Sequence, residues 1–253
     1  MGPIRAVIRV LAILWTSFEG AVLFVCMRVR GPLSAKERAG WLQGVCSRAV
    51  RRVGVELRVE GDIPREGLIV ANHLGYADIL ALSSIVPCAF IAKKEVGSWP
   101  IFGWLAARSG TLFVDRERRL DTAKFNESID GVLRSGVPVV LFPEGTSSDG
   151  STVLPFRPSL FEPAIASRAT ITPAWIGYEV SSGSVANDVC YWGEMTLVPH
   201  LFRMFAIHTI VANINFGTAM RGMQDRKQTA EATRNEVIRL SESRAAVVAE
   251  TRQ

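Results

Sequence analysis

Cysteine is scarce in this 253-residue sequence, and its arrangement argues against two kinds of site. The four cysteines lie far apart and none belongs to a C-x-x-C pair: Cys26, Cys46, Cys88 and Cys190. A zinc site or a disulfide framework is normally announced by paired or closely spaced cysteines, so neither is expected. Three of the four lie in apolar runs, as small core or membrane-facing residues do, and this usage fits a reducing compartment.

A dense stripe of lysine and arginine is also missing, although the net charge is +5. Nucleic-acid-binding domains usually carry such a stripe together with exposed aromatic residues, so nucleic acid is not an expected partner. Hydrophobic residues make up 48% of the chain and the mean hydropathy is +0.21, which is apolar for a soluble enzyme. A basic and apolar chain is suited to an anionic membrane surface.

The first 52 residues are expected to form two membrane-anchoring helices, ahead of a catalytic domain over residues 53–253. Residues 10–27 are mostly apolar, and arginines flank them: Arg5, Arg9, Arg28 and Arg30. No small-residue cleavage site follows, which argues against a signal peptide. Glu19 near the centre of the run costs a transmembrane span roughly 2.5–3.5 kcal/mol, so an interfacial or re-entrant anchor is slightly favoured.

From residue 53 onward, short apolar runs alternate with helical patterns. Such alternation predicts an α/β fold, with a mostly parallel central sheet flanked by helices, after the N-terminal membrane-associated helical segment. Residues 158–168 are expected to be a helix, residues 185–217 are mostly strand-like, and residues 224–250 form a long polar helix. There is neither an internal repeat nor a low-complexity tract.

His73 and Asp78 lie where a strand-like run, residues 67–71, gives way to a helix-like run, residues 79–82. A histidine whose second ring nitrogen is held by a carboxylate can remove a proton from a hydroxyl. A spacing of five places the two side chains on different faces of a regular helix, so their pairing depends on the turn, where Gly75 supplies backbone freedom. In isolation, this H-x4-D pattern is better explained by a helix cap and a solvated carboxylate.

Three further blocks follow in order. Residues 110–116 form a strand that begins at Gly110 and ends in Asp115-Arg116, which puts a guanidinium where ligands of α/β sheets bind. Arginine suits a phosphate because its planar fork donates two hydrogen bonds at once. The alternative for this block is a surface ion pair. A later block, Thr172-Pro173, is a strand with a proline at its start or edge and alone indicates no function.

The remaining block is Phe142-Pro143-Glu144-Gly145-Thr146, which also follows an apolar strand. Gly145 permits close backbone approach, and Thr146 offers a hydroxyl and an N–H to an oxyanion. Glu144 is suited either to orienting the site or to binding a substrate hydroxyl. The alternative is a β-turn made by proline and glycine, with Glu144 solvated.

Taken in this order, the four blocks resemble the four motifs of the glycerolipid acyltransferase family, whose best-known bacterial activity is 1-acylglycerol-3-phosphate acylation. The resemblance covers about residues 55–180. It implies a membrane-bound enzyme of phospholipid biosynthesis, acting at the cytoplasmic face of the inner membrane. The implied reaction moves a fatty acyl group from acyl-CoA or acyl carrier protein to a lysolipid hydroxyl, most directly converting 1-acylglycerol-3-phosphate to phosphatidic acid.

The resemblance also implies roles for individual residues. His73 removes the proton of the acceptor hydroxyl and Asp78 holds His73, with no metal and no cofactor beyond the acyl-donor substrate. A serine or cysteine nucleophile is not required, and the sequence has no G-x-S-x-G elbow. The implied substrate-binding residues are Gly110, Arg116, Glu144, Gly145, Thr146, Arg157 and Pro173. The implied partners are lysolipid, an acyl thioester, membrane lipids and, as one donor, acyl carrier protein.

Two departures from the family pattern bear on the acceptor. Ser147-Ser148 follows Thr146, where the family often has an arginine, and Ser159 stands where it often has glycine. Loss of a cation weakens the case for a phosphate-bearing acceptor, although Arg157 is a candidate replacement. Family members with this serine-rich version include enzymes acting on lyso-ornithine lipid, which is therefore the alternative acceptor.

Two other classes of function fit the sequence less well than an acyltransferase. A non-catalytic membrane lipid-binding protein would keep the fold without turnover, and the intact His73, Asp78 and Glu144 argue against it. A lipid hydrolase would use water in place of the lysolipid, and the missing nucleophile elbow argues against that class.

Overall fold

A seven-stranded mixed sheet forms the centre of the molecule in the computed structural model, which describes residues 1–99, 101–114 and 122–251. The strands are β1 (Val55–Glu60), β2 (Leu68–Ala71), β3 (Ala89–Lys93), β4 (Leu112–Val114), β5 (Val139–Leu141), β6 (Ile171–Val180) and β7 (Ile210–Phe216). The helices are α1 (Gly2–Val29), α2 (Ala35–Val53), α3 (Tyr76–Ile85), α4 (Phe102–Ser109), α5 (Thr122–Arg134), α6 (Glu162–Ala166), α7 (Leu197–Ala206) and α8 (Arg226–Thr251).

The strand order is β1-β7-β6-β2-β5-β3-β4. Neighbouring strands are parallel except at one place, where β7 runs antiparallel to β6. The predicted α/β class with a mostly parallel sheet is confirmed. Because β2 lies between β6 and β5, whatever follows the carboxyl end of β2 is flanked by residues from those two strands.

The central strands are buried on both faces, which is why they read as continuous apolar runs. On one face, Ile69 and Ala71 of β2 pack with Trp41 of α2 and Leu82 of α3. On the other face, alternate residues of the same strand pack with residues from α6 and α8. The hydrophobic effect of this two-sided burial fixes the register of β2 and therefore the position of the turn that follows it.

Helices α1 and α2 pair with each other. The indole Nε1 of Trp41 donates to the Gly20 carbonyl oxygen at 2.9 Å, and a Cβ at Gly20 would lie 2.8 Å from a Val45 methyl group. Glu19, the acidic residue within the apolar run, pairs with Arg52 of α2 at 2.6 Å. Its charge therefore faces α2. Since α2 also contributes to the central core, the division between residues 52 and 53 stays a prediction.

The amino-terminal half of α1 is fastened to α7. Arg9 is only 8% exposed, and its guanidinium donates to the carbonyl oxygens of Phe205, Ile207 and His208. Arg5 donates to the Ala206 carbonyl oxygen at 2.9 Å. These carbonyl groups lie at the carboxyl end of α7, where the last turn lacks intrahelical partners and the helix dipole favours a cation.

The opposite face of α1 is open and apolar. Its exposed large side chains include Ile8, Leu11, Trp15, Phe18, Val22 and Val25. By length and composition α1 could cross a membrane, and 17% of its most apolar window is buried. This helix indicates membrane association.

One of the secondary-structure predictions is wrong, and another is right only in part. Residues 185–217 are not mostly strand, because a π-helical turn covers Val185–Val189 and α7 covers Leu197–Ala206 before β7 begins. A short apolar run cannot be told from a buried helix by periodicity alone, which explains the error. The helix expected over residues 158–168 is a 3₁₀ turn, Pro158–Phe161, followed by the single-turn helix α6.

Candidate active site

The site begins where the chain leaves β2. The side chain of Asn72 bonds the backbone of Ile176 in β6 in both directions: its Nδ2 donates to the carbonyl oxygen at 2.9 Å, and its Oδ1 accepts from the N–H at 2.8 Å. This buried amide holds the first residue after β2 against the neighbouring strand. His73 is therefore delivered to the carboxyl edge of the sheet, where α/β folds place their ligands.

His73 and Asp78 are in contact, as the turn predicted. His73 Nδ1 lies 2.9 Å from Asp78 Oδ2, and the carboxylate is completely buried. Because Oδ2 can only accept, Nδ1 carries the proton and Nε2 keeps its lone pair. The His73 side chain is 21% exposed, so a base with a free nitrogen faces the outside of the turn.

Asp78 is held by four hydrogen bonds. Its Oδ2 accepts from His73, from the Leu74 N–H at 2.7 Å and from the Gly75 N–H at 3.0 Å. Its Oδ1 accepts from the Tyr178 hydroxyl at 2.7 Å. Burial raises the pKa of Tyr178 well above its ordinary value, and the neighbouring carboxylate raises it further, so this hydroxyl stays a donor. Together these donors fix the orientation of the Asp78 carboxylate against His73.

Gly75 is the residue that allows the turn. Its φ is 151°, and a Cβ there would lie 2.9 Å from the backbone nitrogen and Cβ of Tyr191. The Tyr191 N–H donates to the Leu74 carbonyl oxygen at 2.7 Å, which holds the loop after the π-helical turn against residues 74 and 75. Any side chain at position 75 would push this loop away, so glycine is required for sterics as well as for φ.

The block after β5 packs directly on His73. The ring of Phe142 stacks on the imidazole, with centroids 4.1 Å apart and an interplanar angle of 16°. The Ser148 N–H donates to the His73 carbonyl oxygen at 3.0 Å, and the Ser147 hydroxyl donates to the Tyr191 carbonyl oxygen. Ser147 and Ser148, which depart from the family pattern, therefore connect this block to the backbone of His73 and to the loop that contains Tyr191.

Glu144 is buried at the same edge of the sheet and is only 4% exposed. Within the described residues, neither carboxylate oxygen has a partner in hydrogen-bonding geometry. Burial raises the pKa of Glu144 to about 8, and the charge of Asp78 adds to the increase, while the nearby N–H groups of Leu154 and His73 lower it in part. The solvated-turn alternative for this block is therefore wrong for Glu144.

The neighbours of Glu144 differ in exposure. Gly145 has φ 76° and its N–H donates to the Phe142 carbonyl oxygen at 3.2 Å, which closes the turn. Thr146 is exposed. The Arg157 N–H donates to the Pro143 carbonyl oxygen at 3.0 Å, and its side chain is exposed. The structure therefore brings Arg157 beside this block, although fourteen residues separate it from Pro143 in the sequence.

The remaining predicted residues have no described contact with the pair, and one of them lies outside the described residues. Gly110 ends α4 in the left-handed conformation at φ 89°, which is a backbone role, and Arg116 lies outside the described residues. Pro173 is buried near the start of β6, an internal strand, so of the two predicted placements the start of a strand fits and the edge is wrong. The paired register of β6 and β7 begins at Ala174, one residue after the proline, so the missing N–H of Pro173 interrupts no described pair of that ladder. The Pro173 carbonyl oxygen accepts from the Gly217 N–H, just beyond the end of β7.

Two polar groups were not found from the sequence. Tyr178 lies two residues beyond Ile176 on the same face of β6. The sequence signal for it is a tyrosine hydroxyl at the end of a run in which every second residue is apolar. His200 is fully buried; its Nδ1 pairs with the Tyr76 hydroxyl at 2.7 Å and its Nε2 with the Cys190 carbonyl oxygen at 3.0 Å. No single-residue pattern in the sequence marks His200.

Across the described ranges, no group of three or more His, Cys, Asp or Glu residues lies close enough to hold a metal ion. The chemistry that the geometry offers is that of an oriented histidine base. It has a charged carboxylate on one nitrogen, a free second nitrogen, and a buried carboxyl group with a raised pKa nearby.

Comparison with known proteins matches residues 54–177 to the acyltransferase family. The chain is 36% identical over 202 residues to a lyso-ornithine lipid O-acyltransferase of Rhizobium meliloti, covering 74% of this chain and 67% of that protein. It is 31% identical over 183 residues to a 1-acyl-sn-glycerol-3-phosphate acyltransferase of Neisseria gonorrhoeae, covering 72% and 71% of the two chains.

The fold also matches a solved structure. The crystal structure of a 1-acyl-sn-glycerophosphate acyltransferase from Thermotoga maritima superposes with a TM-score of 0.72 at 19% sequence identity, over 97% of this chain and 98% of that one. At this sequence identity the match supports a shared fold and nothing more. It includes the amino-terminal helices, since nearly the whole of both chains is covered.

Proposed function

This chain belongs to the acyltransferase family, and from that premise we propose that it moves a fatty acyl group from a thioester to a lysolipid hydroxyl. It is an O-acyltransferase. The observation that carries the proposed chemistry is the His73–Asp78 pair, because it leaves one imidazole nitrogen free to accept a proton beside a carboxylate that stabilises the resulting imidazolium.

The reaction balances with these groups alone. His73 Nε2 takes the proton of the acceptor hydroxyl as its oxygen attacks the thioester carbonyl carbon. The carbon–oxygen bond forms, the carbon–sulfur bond breaks, and the proton passes from Nε2 to the leaving sulfur. General-base catalysis contributes about 100- to 10,000-fold, so positioning of both substrates supplies the rest.

Residues around the pair are assigned to the substrates. Thr146 presents its backbone N–H toward the developing oxyanion, Gly145 shapes the turn that carries it, and Glu144 binds an acceptor hydroxyl. With its pKa near 8, Glu144 is mainly protonated at neutral pH and can donate a hydrogen bond. Arg116 and Arg157 are assigned to the headgroup of the acceptor, and Gly110 and Pro173 shape the backbone that carries these groups.

Two acceptors fit this site. The first is 1-acylglycerol-3-phosphate, which gives phosphatidic acid, with Arg116 and Arg157 as the phosphate-binding cations. The second is lyso-ornithine lipid. It is favoured by the serines at 147 and 148, which stand in place of a cation and instead tie the site loop to His73 and Tyr191. Relatives named for each acceptor support both candidates.

The donor and the location complete the proposal. Acyl-CoA or acyl carrier protein supplies the thioester, at the cytoplasmic face of the inner membrane, and no metal or cofactor takes part. We assign α1 to the bilayer interface, with its apolar face in the lipid. Its other face contacts the catalytic domain at Arg9 near one end and at Phe24, which packs on Trp104 of α4, near the other, so it cannot cross the bilayer without breaking those contacts.

An acyl-transfer assay on the detergent-purified chain tests the proposal. Labelled acyl-CoA and acyl carrier protein are each offered with lysophosphatidic acid and with lyso-ornithine lipid. His73→Ala should reduce transfer by at least about 100-fold. The matched control is His208→Ala, which removes an exposed histidine whose ring contacts only Thr209 among the described residues.

The outcomes separate the acceptors. Formation of phosphatidic acid that depends on His73 supports the first acceptor, and transfer only to lyso-ornithine lipid supports the second. Retained turnover in His73→Ala removes His73 as the base. Absence of transfer to both acceptors by the wild-type chain contradicts the proposed reaction and favours a non-catalytic lipid-binding protein.

Arg116 supplies a second test within the same assay. Arg116→Ala should raise the KM for lysophosphatidic acid by about tenfold, the effect of losing one charge-assisted contact of about 1.4 kcal/mol, and should change the KM for lyso-ornithine lipid less. An equal change for both acceptors would mean that Arg116 does not bind phosphate.

A further inference from the structure

A cavity of about 740 Å³ opens between the carboxyl end of α1, the start of α2 and α4. Its lining includes neither His73 nor Asp78, nor any other residue assigned above to the reaction. Three arginines line it, one from each helix: Arg28, Arg38 and Arg108. Among the described residues that line it, none is acidic.

Two of the three arginines have described contacts that direct their side chains. The Arg38 Nε donates to the Leu33 carbonyl oxygen at 3.2 Å, which directs its side chain. The Arg108 guanidinium lies over the rings of Phe24 and Trp104, 5.9 and 5.4 Å from their centroids. Within the described part of the chain, none of the three forms an ion pair. A guanidinium stacked on a ring still presents its N–H edge, the form in which arginine binds phosphate.

The rest of the lining is apolar and continues onto the membrane-facing surface. Phe24, Trp41 and Trp104 pack edge to face beside the cavity. Val25 and Val29 line it and also belong to the exposed apolar face of α1. An occupant can therefore place an anionic group among the arginines while its apolar part runs along α1 into the bilayer.

We propose that this cavity binds the headgroup of one anionic bilayer phospholipid, with its acyl chains along Val25 and Val29. The ligand is a lipid and not free phosphate, because the apolar wall joins the cavity to the face of α1. The site is separate from the reaction centre, so the proposal does not rest on the acceptor or on catalysis. A lipid held here fixes how α1 and α4 sit relative to the membrane surface.

Native mass spectrometry of the full chain released from detergent measures this site directly. The probes are phosphatidylglycerol and phosphatidylcholine of equal chain length, titrated separately. The wild-type chain should retain one phosphatidylglycerol more tightly than phosphatidylcholine. Removing one arginine should weaken phosphatidylglycerol retention about fivefold, and the double variant Arg28→Gln/Arg108→Gln about 25-fold, since each cation near a lipid surface contributes about one such factor.

The matched control is Arg65→Gln, which removes the same charge from an exposed loop between β1 and β2. It should bind phosphatidylglycerol as the wild type does. Both Arg28 and Arg108 are exposed, so thermal unfolding should be unchanged; if the double variant is destabilised, Arg28→Gln alone carries the test with its fivefold effect. Competition by millimolar inorganic phosphate should have no effect.

Three results would each overturn the proposal. The first is equal retention of phosphatidylglycerol by the wild type and the Arg28→Gln/Arg108→Gln variant. The second is equal retention of the two lipids by the wild type, which would mean that the chains alone occupy the cavity. The third is displacement of the lipid by inorganic phosphate, which would make this a site for small anions. None of these readouts involves acyl transfer, so their failure is distinct from failure of the enzymatic proposal.

Discussion

Asp78 and Glu144 are two buried carboxyl groups at the carboxyl ends of neighbouring strands, and their surroundings are opposite. Asp78 accepts four hydrogen bonds, two of them from backbone N–H groups of its own turn. Glu144 has no described partner in hydrogen-bonding geometry, and burial raises its pKa to about 8. Two carboxyl groups at the same edge of one sheet therefore have opposite hydrogen-bonding environments.

The comparison shows how two acidic residues of one site can have different roles. Asp78 accepts hydrogen bonds and holds His73, whereas Glu144 can donate a hydrogen bond. Donors arranged around a carboxylate favour its charged form, which is what a group holding an imidazolium needs. Burial without donors favours the neutral form, which can give a hydrogen bond to a substrate. The difference arises from the turn at Gly75, whose N–H groups bond Asp78 in good geometry, whereas the N–H groups near Glu144 lower its pKa only in part.

The largest effect is expected when Asp78 loses its charge. Asp78→Asn keeps an oxygen for the Leu74 and Gly75 N–H groups, so the turn should persist, but the imidazolium loses its counter-charge. We expect kcat to fall by about 100- to 10,000-fold, with the far-ultraviolet circular dichroism spectrum unchanged. Asp62→Asn, in an exposed loop, is the matched control. An Asp78→Asn variant with full kcat would mean that the two carboxyl groups do not differ in role.

The next effect concerns stability against pH and isolates Glu144. Its folded pKa, about 8, lies above its ordinary value of 4.5, so the unfolded chain releases this proton first. The stabilisation from this group is complete below pH 4.5, declines as the pH rises, and is lost above pH 8. The loss is on the order of 5 kcal/mol, at about 1.4 kcal/mol per pKa unit.

Urea unfolding of the wild type and Glu144→Gln from pH 5 to pH 9 measures this decline. The neutral amide cannot release a proton, so the variant should lack the decline and should become the more stable protein at the alkaline end. Parallel curves for the two proteins would show that Glu144 titrates normally in the folded state and would remove the contrast with Asp78.

The smallest effect is expected from Tyr178→Phe, which removes one donor from Asp78 Oδ1. A hydrogen bond to a charged group contributes about 1.5–3 kcal/mol, and Asp78 keeps its other three donors, so we expect kcat to fall about tenfold. The kcat of Tyr178→Phe should fall more steeply than its KM rises, because Tyr178 acts through Asp78. Tyr191→Phe, which keeps the ring that packs against Tyr76 and His200 and removes a hydroxyl with no described hydrogen bond, serves as the comparison.

Local patterns predicted the parts of the fold and site that lie close together in the sequence. The pairing of His73 with Asp78 follows from a strand, a glycine turn and a helix within about ten residues, and the central strands follow from their apolar runs. The donor from Tyr178 comes from 100 residues away, so only the sheet order could reveal it. The absence of donors around Glu144 is likewise a tertiary property.

The helix α7 was missed because its apolar residues are covered by α1, which sets its conformation through packing and not through propensity. The function was predicted from the order of the four motifs along the sequence, which does not depend on contacts between distant elements. The roles of individual residues around the acceptor stay predictions. Arg116 lies outside the described residues, and the KM values of the Arg116→Ala variant test its role.

The hydrogen bonds of Arg9 set an order of events during synthesis. Arg9 binds carbonyl groups 196 and 198 residues later in the chain, at Phe205 and Ile207. At about 5–20 residues per second, these partners leave the ribosome roughly 10–40 s after Arg9 does. During that interval the face of α1 that packs on α7 has no partner, only α2 is available to cover the helix, and its open apolar face favours lipid. The nascent chain would therefore reach the membrane before its catalytic domain is complete.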